Sequence, residues 1–463
     1  MVRNTRVQGH LLWVVLGLHS LIFTHNDWTN WGNTQTCIPQ KILSPSTREE
    51  VQAIIVEAIR QKISVRAVGS GHSWSDIVCT QGYLITTDRL NRILSIDTQA
   101  CKVKVECGIK IKDLVIELAS EGLALSDQGF ITEQSIVGAL STATHGSGHT
   151  GTLSDFIVEM EIIDGRGRFQ TVSEHSHPEW LPAVRVGLGA TGFVYSVTLR
   201  CEPLFCLSHK RVIIPFQEML KTYKQLYESN DFCTCMVHPQ SRKTLLYLWN
   251  KTSKPITRNF LRHLKNSTFF NHTLNYMLIK SMSYFPTLGN KCLEGFLDSM
   301  QDAEHVEYSY KSLSPLKDPL TTDCYIESEY ALPFESFTEA VEKVLALCDA
   351  YEKRNIPLFA ILTCRFGSSQ TRAYMGPNYA RETAYININI FNCFPEYEQF
   401  FKEFEQLLQT YEGRPHWGKF HSLTKERLAF VYRDNFKKFN DVRKQIDPYN
   451  IFANEFVIRC FGV

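Results

Sequence analysis

Residues 64–76, SVRAVGSGHSWSD, put a titratable histidine, His72, at the tip of a loop built from Gly69, Ser70 and Gly71. Small residues in a row let a backbone lie against a ligand, because no bulky side chain holds it off. A second such run, THGSGHTG at 144–151, follows Gly138-Ala139-Leu140-Ser141, and a third, GLGATG, spans 187–192. Together they imply a long, extended cofactor threaded between chain segments. GLGATG matches the GxGxxG dinucleotide fingerprint, but that motif needs a strand before it and a helix opening from it. Here helix-like WLPAVRVG precedes and strand-like FVYSVTL follows, so a Rossmann site is excluded.

Two further patterns could do chemistry. The tetrad His416-Trp417-Gly418-Lys419 carries a fixed cation suited to oxygens on which negative charge develops. In AYININIF, Asn387 and Asn389 alternate with isoleucines. Alternate residues of a strand face the same way, so both asparagines look into one polar cavity. No metal centre is expected: CxxC pairs are absent, Cys233-Thr-Cys235 is isolated, and His175 and His177 read as a polar loop.

These loops need a scaffold. The 463 residues, 44% hydrophobic and 21% charged, are enough for two globular domains. A net charge of +1 gives no electrostatic case for a nucleic-acid partner. SPSTREEVQAIIVEAIRQK reads as a capped helix leading into the strand ISVRAVG, and IKDLVIELASEGL as a second helix ended by Gly122. Short strands follow in YLITTDRL, RILSIDTQ and KVKVECGI, and VEMEIIDGRGRFQTV reads as a hairpin. The expected fold is α+β, with a two-subdomain ligand-binding domain at 37–204 and a C-terminal α+β substrate or cap domain at 205–394. A last segment, 395–463, carries HWGK and completes the site.

Arg3 and Arg6 precede an apolar run, Leu11 to Phe23, with the layout of a signal peptide or N-terminal anchor over residues 1–25. Sequons at Asn250, Asn266 and Asn271 agree with a lumenal location. The fourteen cysteines, irregularly spaced, are expected to be mostly buried thiols. YMLIKSMSYFPTL (276–288) is too short to span a bilayer but could make a peripheral membrane contact.

AVGSGHSWSD, THGSG, GLGATGFVYSVTL and RPHWGKFH, in this order, resemble the aldonolactone oxidoreductases of the vanillyl-alcohol-oxidase flavoprotein superfamily, and most of all its animal gulonolactone-oxidising members. The resemblance runs from about Trp28 to the C-terminus. It implies FAD in the N-terminal domain, bonded covalently through His72. Ala67, Val68, Gly69, Ser70, Gly71, His72 and Ser73 would line it, with Ser135, Gly138, Ala139, Leu140 and Ser141, and with Gly192 and Val194 near the adenine end. It also implies oxidation of an aldonolactone, L-gulono-1,4-lactone first among them, with O2 as acceptor and hydrogen peroxide as product, in the endoplasmic reticulum lumen or on its membrane. Lys419, Arg365, His416 and Asn387 would be catalytic, and Arg365, Asn387, Asn389, Lys419 and Thr363 would meet substrate. One departure stands out. The family usually places a glutamate two residues before the arginine, where this chain has Thr363, which cannot act as a general base at neutral pH. Another group then takes the proton, or the substrate is a sugar alcohol or other carbohydrate, or the fold binds carbohydrate without turnover. Glu329, in ESEYALP, is a candidate replacement carboxylate, with an ordinary ion pair as its plainer reading. Cys107 stands where relatives often have a smaller residue.

Overall fold

The structure is a computed structural model that describes residues 27–257, 280–314, 325–391 and 396–463. The signal-peptide segment, the sequons at Asn266 and Asn271 and the start of the 276–288 stretch lie outside the described residues. Among those described, no helix is long and apolar enough to cross a membrane.

The first domain is built mainly on two small sheets. Strands β1 (Lys41–Leu43), β2 (Val65–Val68) and β3 (Tyr83–Thr86) form a parallel sheet in the order β1-β3-β2. Helix α1 (Arg48–Gln61) crosses from β1 to β2; the Thr47 hydroxyl caps it by accepting the Glu50 N–H at 3.2 Å. Val51, Ile55 and Ala58 recur at i, i+4 and i+7, so one face of α1 is buried. Strands β4 (Ile93–Asp97) and β5 (Lys102–Glu106), helices α2 (Ile111–Ser120) and α3 (Ile136–Ser141), and strands β6 (Ile157–Ile163), β7 (Phe169–Ser173) and β8 (Phe193–Arg200) follow. Their antiparallel sheet runs β7-β6-β8-β5-β4, and β6 and β7 are the expected hairpin.

The second domain is built on eight antiparallel strands. They are β9 (Cys206–Pro215), β10 (Phe232–Val237), β11 (Lys243–Thr252), β12 (Asp302–Tyr308), β13 (Ile326–Pro333), β14 (Ala360–Gly367), β15 (Thr383–Ile390) and β16 (Arg414–Pro415), in the order β12-β9-β11-β10-β14-β15-β13-β16. Helices α4 (Phe216–Glu228), α5 (Pro286–Ser299), α6 (Phe337–Lys353) and α7 (Tyr397–Gln409) connect its strands.

The C-terminal segment serves both domains. β16 adds an edge to the eight-stranded sheet, while Val65 of β2 donates its N–H to the Ile451 carbonyl at 2.7 Å. Arg66, buried, binds the carbonyls of Leu188, Gly189 and Phe452, which ties the 187–192 turn to the chain end. Twelve cysteines are described, all unbridged, and seven are buried, as expected.

Candidate active site

A narrow cleft runs through the first domain. It is lined by residues 66–73, by Ser135, Gly138, Ala139, Ser141 and Thr142, and by the 187–194 turn. A short helix, Leu181–Val184, precedes that turn and β8 follows it, so no helix opens toward the ligand. The backbone itself makes the cradle. Gly192 holds φ +90 and Gly189 φ +66, both in the left-handed region that glycine tolerates. At Gly69 a Cβ would stand 1.8 Å from the Ser135 hydroxyl, so the two walls meet there closely enough to admit only glycine. Walls made by close backbone approach suit an extended dinucleotide.

Of the residues expected to line the cofactor, Leu140 does not. It is fully buried in the core. The six residues of α3 turn about 100° each, so Val137, Gly138 and Ser141 face the cleft while Ile136 and Leu140 face inward. Arg66, Gln134, Thr142, Gly187 and Gly189 join the lining, and so does Cys107. Burial pushes the Cys107 thiol up, so it is an uncharged wall group.

His72 enters at one end of the cleft. Its ring stacks on Trp31 at 4.8 Å, and burial, then Lys419, push its pKa down to about 4. The imidazole is therefore neutral at pH 7. The loop is pinned to the HWGK turn: Trp74 donates its N–H to the Gly418 carbonyl at 2.8 Å, and the Ser75 hydroxyl donates to the Trp417 carbonyl at 2.9 Å. Trp417 is buried with its indole N–H on the Met375 carbonyl.

The eight-stranded sheet presents a polar face. Register places Glu329, Asn387 and Thr363 side by side across β13, β15 and β14. The next row of the same face holds Tyr385 and Arg365, and the preceding row Glu327 and Asn389. The two asparagines share one face as expected, Asn387 buried and Asn389 half-buried. Asn387 donates to Glu327 Oε2 at 2.8 Å and to Glu329 Oε2 at 3.1 Å. Two carboxylates fix its amide nitrogen on that side, so Oδ1 turns away, buried and without a partner. Arg365 lies with Cζ 4.4 Å over the Phe130 ring, its Nε buried and unpartnered. The Tyr385 hydroxyl is likewise orphaned. Buried polar atoms without partners are costly, and three on one face mark a place a polar ligand completes.

Lys419 is not a lone cation. It pairs with Glu327, and its ammonium lies 4.5 Å from the Trp74 ring. Glu329 pairs with a histidine: it is buried, with Oε1 2.8 Å from His145 Nε2, whose ring stacks on Tyr385 at 3.6 Å. Burial pushes the Glu329 carboxyl up, but His145, His416 and Arg365 outweigh it and hold it well below the usual carboxylate range.

His145, Glu329 and His416 offer three ligand atoms within 4.8 Å of one another, the spacing of a metal site. The His416 tautomer argues against one. Its Nδ1 accepts the Gly418 N–H at 3.1 Å, which puts its proton on Nε2 and leaves no lone pair for a cation. Burial, then Lys419, His145 and Arg365, against an opposing Glu329, push its pKa down to about 3, so this neutral N–H donor persists at pH 7.

Glu327 and His145 were not among the residues expected at the site, and Glu329 only as a candidate replacement carboxylate. The strand IESEYALP carried the signal: its two glutamates alternate at period two, as the asparagines of AYININIF do.

With this geometry in view, comparison with known proteins decides the family. The family model described as D-arabinono-1,4-lactone oxidase matches residues 197–460, and that described as FAD binding domain matches 39–173. The chain belongs to the D-arabinono-1,4-lactone oxidase family. An L-gulono-1,4-lactone dehydrogenase of Mycobacterium tuberculosis is 31% identical over 94% of this chain and 99% of its own. An L-gulonolactone oxidase of Scyliorhinus torazame is 29% identical over 93% and 97%. Cholesterol oxidase of Brevibacterium sterolicum superposes with a TM-score of 0.80 at 17% identity, covering 94% of this chain and 97% of that one, which shows the shared fold. As a member of this family the protein is an FAD-dependent oxidoreductase, and the cleft is shaped for that cofactor.

Proposed function

We propose that the protein oxidises a secondary hydroxyl of an aldonolactone, with L-gulono-1,4-lactone as the first candidate, passing electrons through FAD to O2 and releasing hydrogen peroxide. The observation that carries this reading is the meeting of two surfaces at Lys419. One is the dinucleotide cleft ending at His72; the other is the polar face of Glu327, Glu329, Asn387 and Arg365. When bound, the flavin supplies the hydride acceptor.

The chain's own groups bind, orient and hold charge. Asn387 Oδ1, turned outward by the two glutamates, accepts from a substrate hydroxyl. Arg365 donates to lactone or hydroxyl oxygens and, held over Phe130, is fixed in place. His416 Nε2 is a second neutral donor. Lys419 places positive charge where the cleft meets the face, its position set by Glu327 and Trp74. The neutral His72 ring has the lone pair needed for a covalent tether to FAD, and the contact with Trp31 fixes its orientation.

The N-terminal apolar run and the sequons support a secretory-pathway location, in the lumen of the endoplasmic reticulum or against its membrane. The test of function is peroxide release by purified protein over a panel of aldonolactones and alditols. Release on L-gulono-1,4-lactone is expected. Release confined to alditols, or none with FAD fully bound, would overturn the lactone reading.

A further inference from the structure

Oxidising an alcohol leaves a hydroxyl proton to be taken up, and Thr363 cannot take it. Three acidic side chains lie buried around the polar face, and their bonding separates them. Glu327 is in direct contact with the Lys419 ammonium, which claims its charge. Asp127 is spent on backbone: it accepts the Gln128 N–H at 2.7 Å and the Gly148 N–H at 3.3 Å and so holds the 144–151 loop. Glu329 has neither a lysine ammonium nor a backbone N–H on its oxygens, and one of them is only lightly held. Its Oε1 is occupied by His145, but Oε2 takes one longer bond, 3.1 Å, from Asn387 and retains a lone pair. It stands in the same row as Asn387 and Thr363, one row from Arg365, where the orphaned Asn387 Oδ1 and Arg365 Nε lie.

His145 fixes this carboxylate. Both its nitrogens face oxygen acceptors, Gly146 O at 2.9 Å and Glu329 Oε1 at 2.8 Å. Oε1 is therefore engaged, and Oε2 is the oxygen open to substrate.

We propose that Glu329 is the catalytic base, its Oε2 taking the proton of the substrate hydroxyl. The proposal rests on the alcohol-oxidation reading above. The O–H bond breaks and its proton goes to Oε2; the O–H electron pair forms the carbonyl, while the C–H pair leaves as hydride to the flavin acceptor. The carboxylate need not be strongly basic. An alcohol that is losing hydride approaches a protonated carbonyl, an acid strong enough to give its proton to a weak base.

The test is anaerobic, single-turnover reduction of the holoenzyme by L-gulono-1,4-lactone, followed by flavin bleaching. It is paired with substrate affinity from flavin spectral perturbation and with infrared difference spectra. Glu329→Gln should lower the limiting reduction rate by about 10²–10⁴-fold, the usual weight of general-base catalysis. Its substrate affinity should stay within about threefold, since amide and carboxyl differ little in size. Glu329→Asp should recover part of the rate. Wild type should show a carboxylate stretch shifted by substrate binding, absent from Glu329→Gln. A Glu329→Gln enzyme reduced within about threefold of wild type, a loss of affinity alone, or no such shift in wild type would each overturn the assignment. The shift is read on wild type, so it decides the matter even if the variant fails to fold. Wild type that no lactone or alditol reduces would overturn the functional reading itself, and the base with it.

Discussion

Asn387 donates from one amide nitrogen to both Glu327 and Glu329, at 2.8 and 3.1 Å. Through it, a network of hydrogen bonds joins His145 in the first domain to Lys419 beside the cofactor loop, by way of Glu329, Asn387 and Glu327. The substrate face and the cofactor cleft are thus one electrostatic unit. A change at either end should be felt at the other.

The proposed function makes His72 the tether. After denaturing electrophoresis, flavin fluorescence should stay with the wild-type chain and be lost from His72→Ala. A wild-type band without fluorescence, from yellow native protein, would show that the cofactor is held without a covalent bond.

Gly69 and Leu140 should behave oppositely, although both belong to the segments expected to line the cofactor. Gly69→Ala forces a Cβ to within 1.8 Å of the Ser135 hydroxyl and should yield protein depleted of flavin, read from visible absorbance. Leu140→Ala opens a cavity in the core and should cost about 2–5 kcal/mol of stability while flavin content per folded protein holds. Flavin lost from Leu140→Ala and retained in Gly69→Ala would overturn both placements, Gly69 in the cleft wall and Leu140 in the core.

Lys419→Met removes the cation at the junction of the two surfaces. The limiting rate of flavin reduction should fall by about 10²–10³-fold, the weight of one lost electrostatic contact to developing charge. Glu327→Gln, which releases Lys419 from its partner, should change the rate less. Equal rates in wild type and Lys419→Met would leave Lys419 only the structural role of binding Glu327.

His421 is buried against Trp417 and Phe456 with neither ring nitrogen partnered. Burial, then Arg459 and His416, push its pKa down to about 3, and His416 is held equally low. The unfolded rings titrate at ~6.5, so between about pH 6.5 and 3 the unfolded state binds the extra protons. Stability should therefore fall with pH through that window, by up to about 1.4 kcal/mol per pH unit for each ring. His421→Phe should raise the melting temperature, and raise it more at pH 5 than at pH 8. An equal gain at both values would refute the titration argument.

The sequence by itself determined the cofactor half of this protein. Three runs of small residues, with a strand rather than a helix after GLGATG, dictate a cleft made by close backbone approach. That is local chemistry, since glycine alone accepts φ +90 at position 192 whatever surrounds it. Period two likewise put Asn387 and Asn389 on one face before any partner was known. What residues 136–141 buried was decided by helical phase, which sent Leu140 to the core although its neighbours line the cleft. The substrate half was decided by tertiary structure. Glu329 and His145 are 184 residues apart, and Thr363 meets Asn387 and Glu329 only because β14, β15 and β13 pair in that register. A carboxylate's role depends on which donors claim its oxygens. In one strand Lys419 claims Glu327 while His145 and Asn387 hold Glu329, and only strand pairing brings those donors to them.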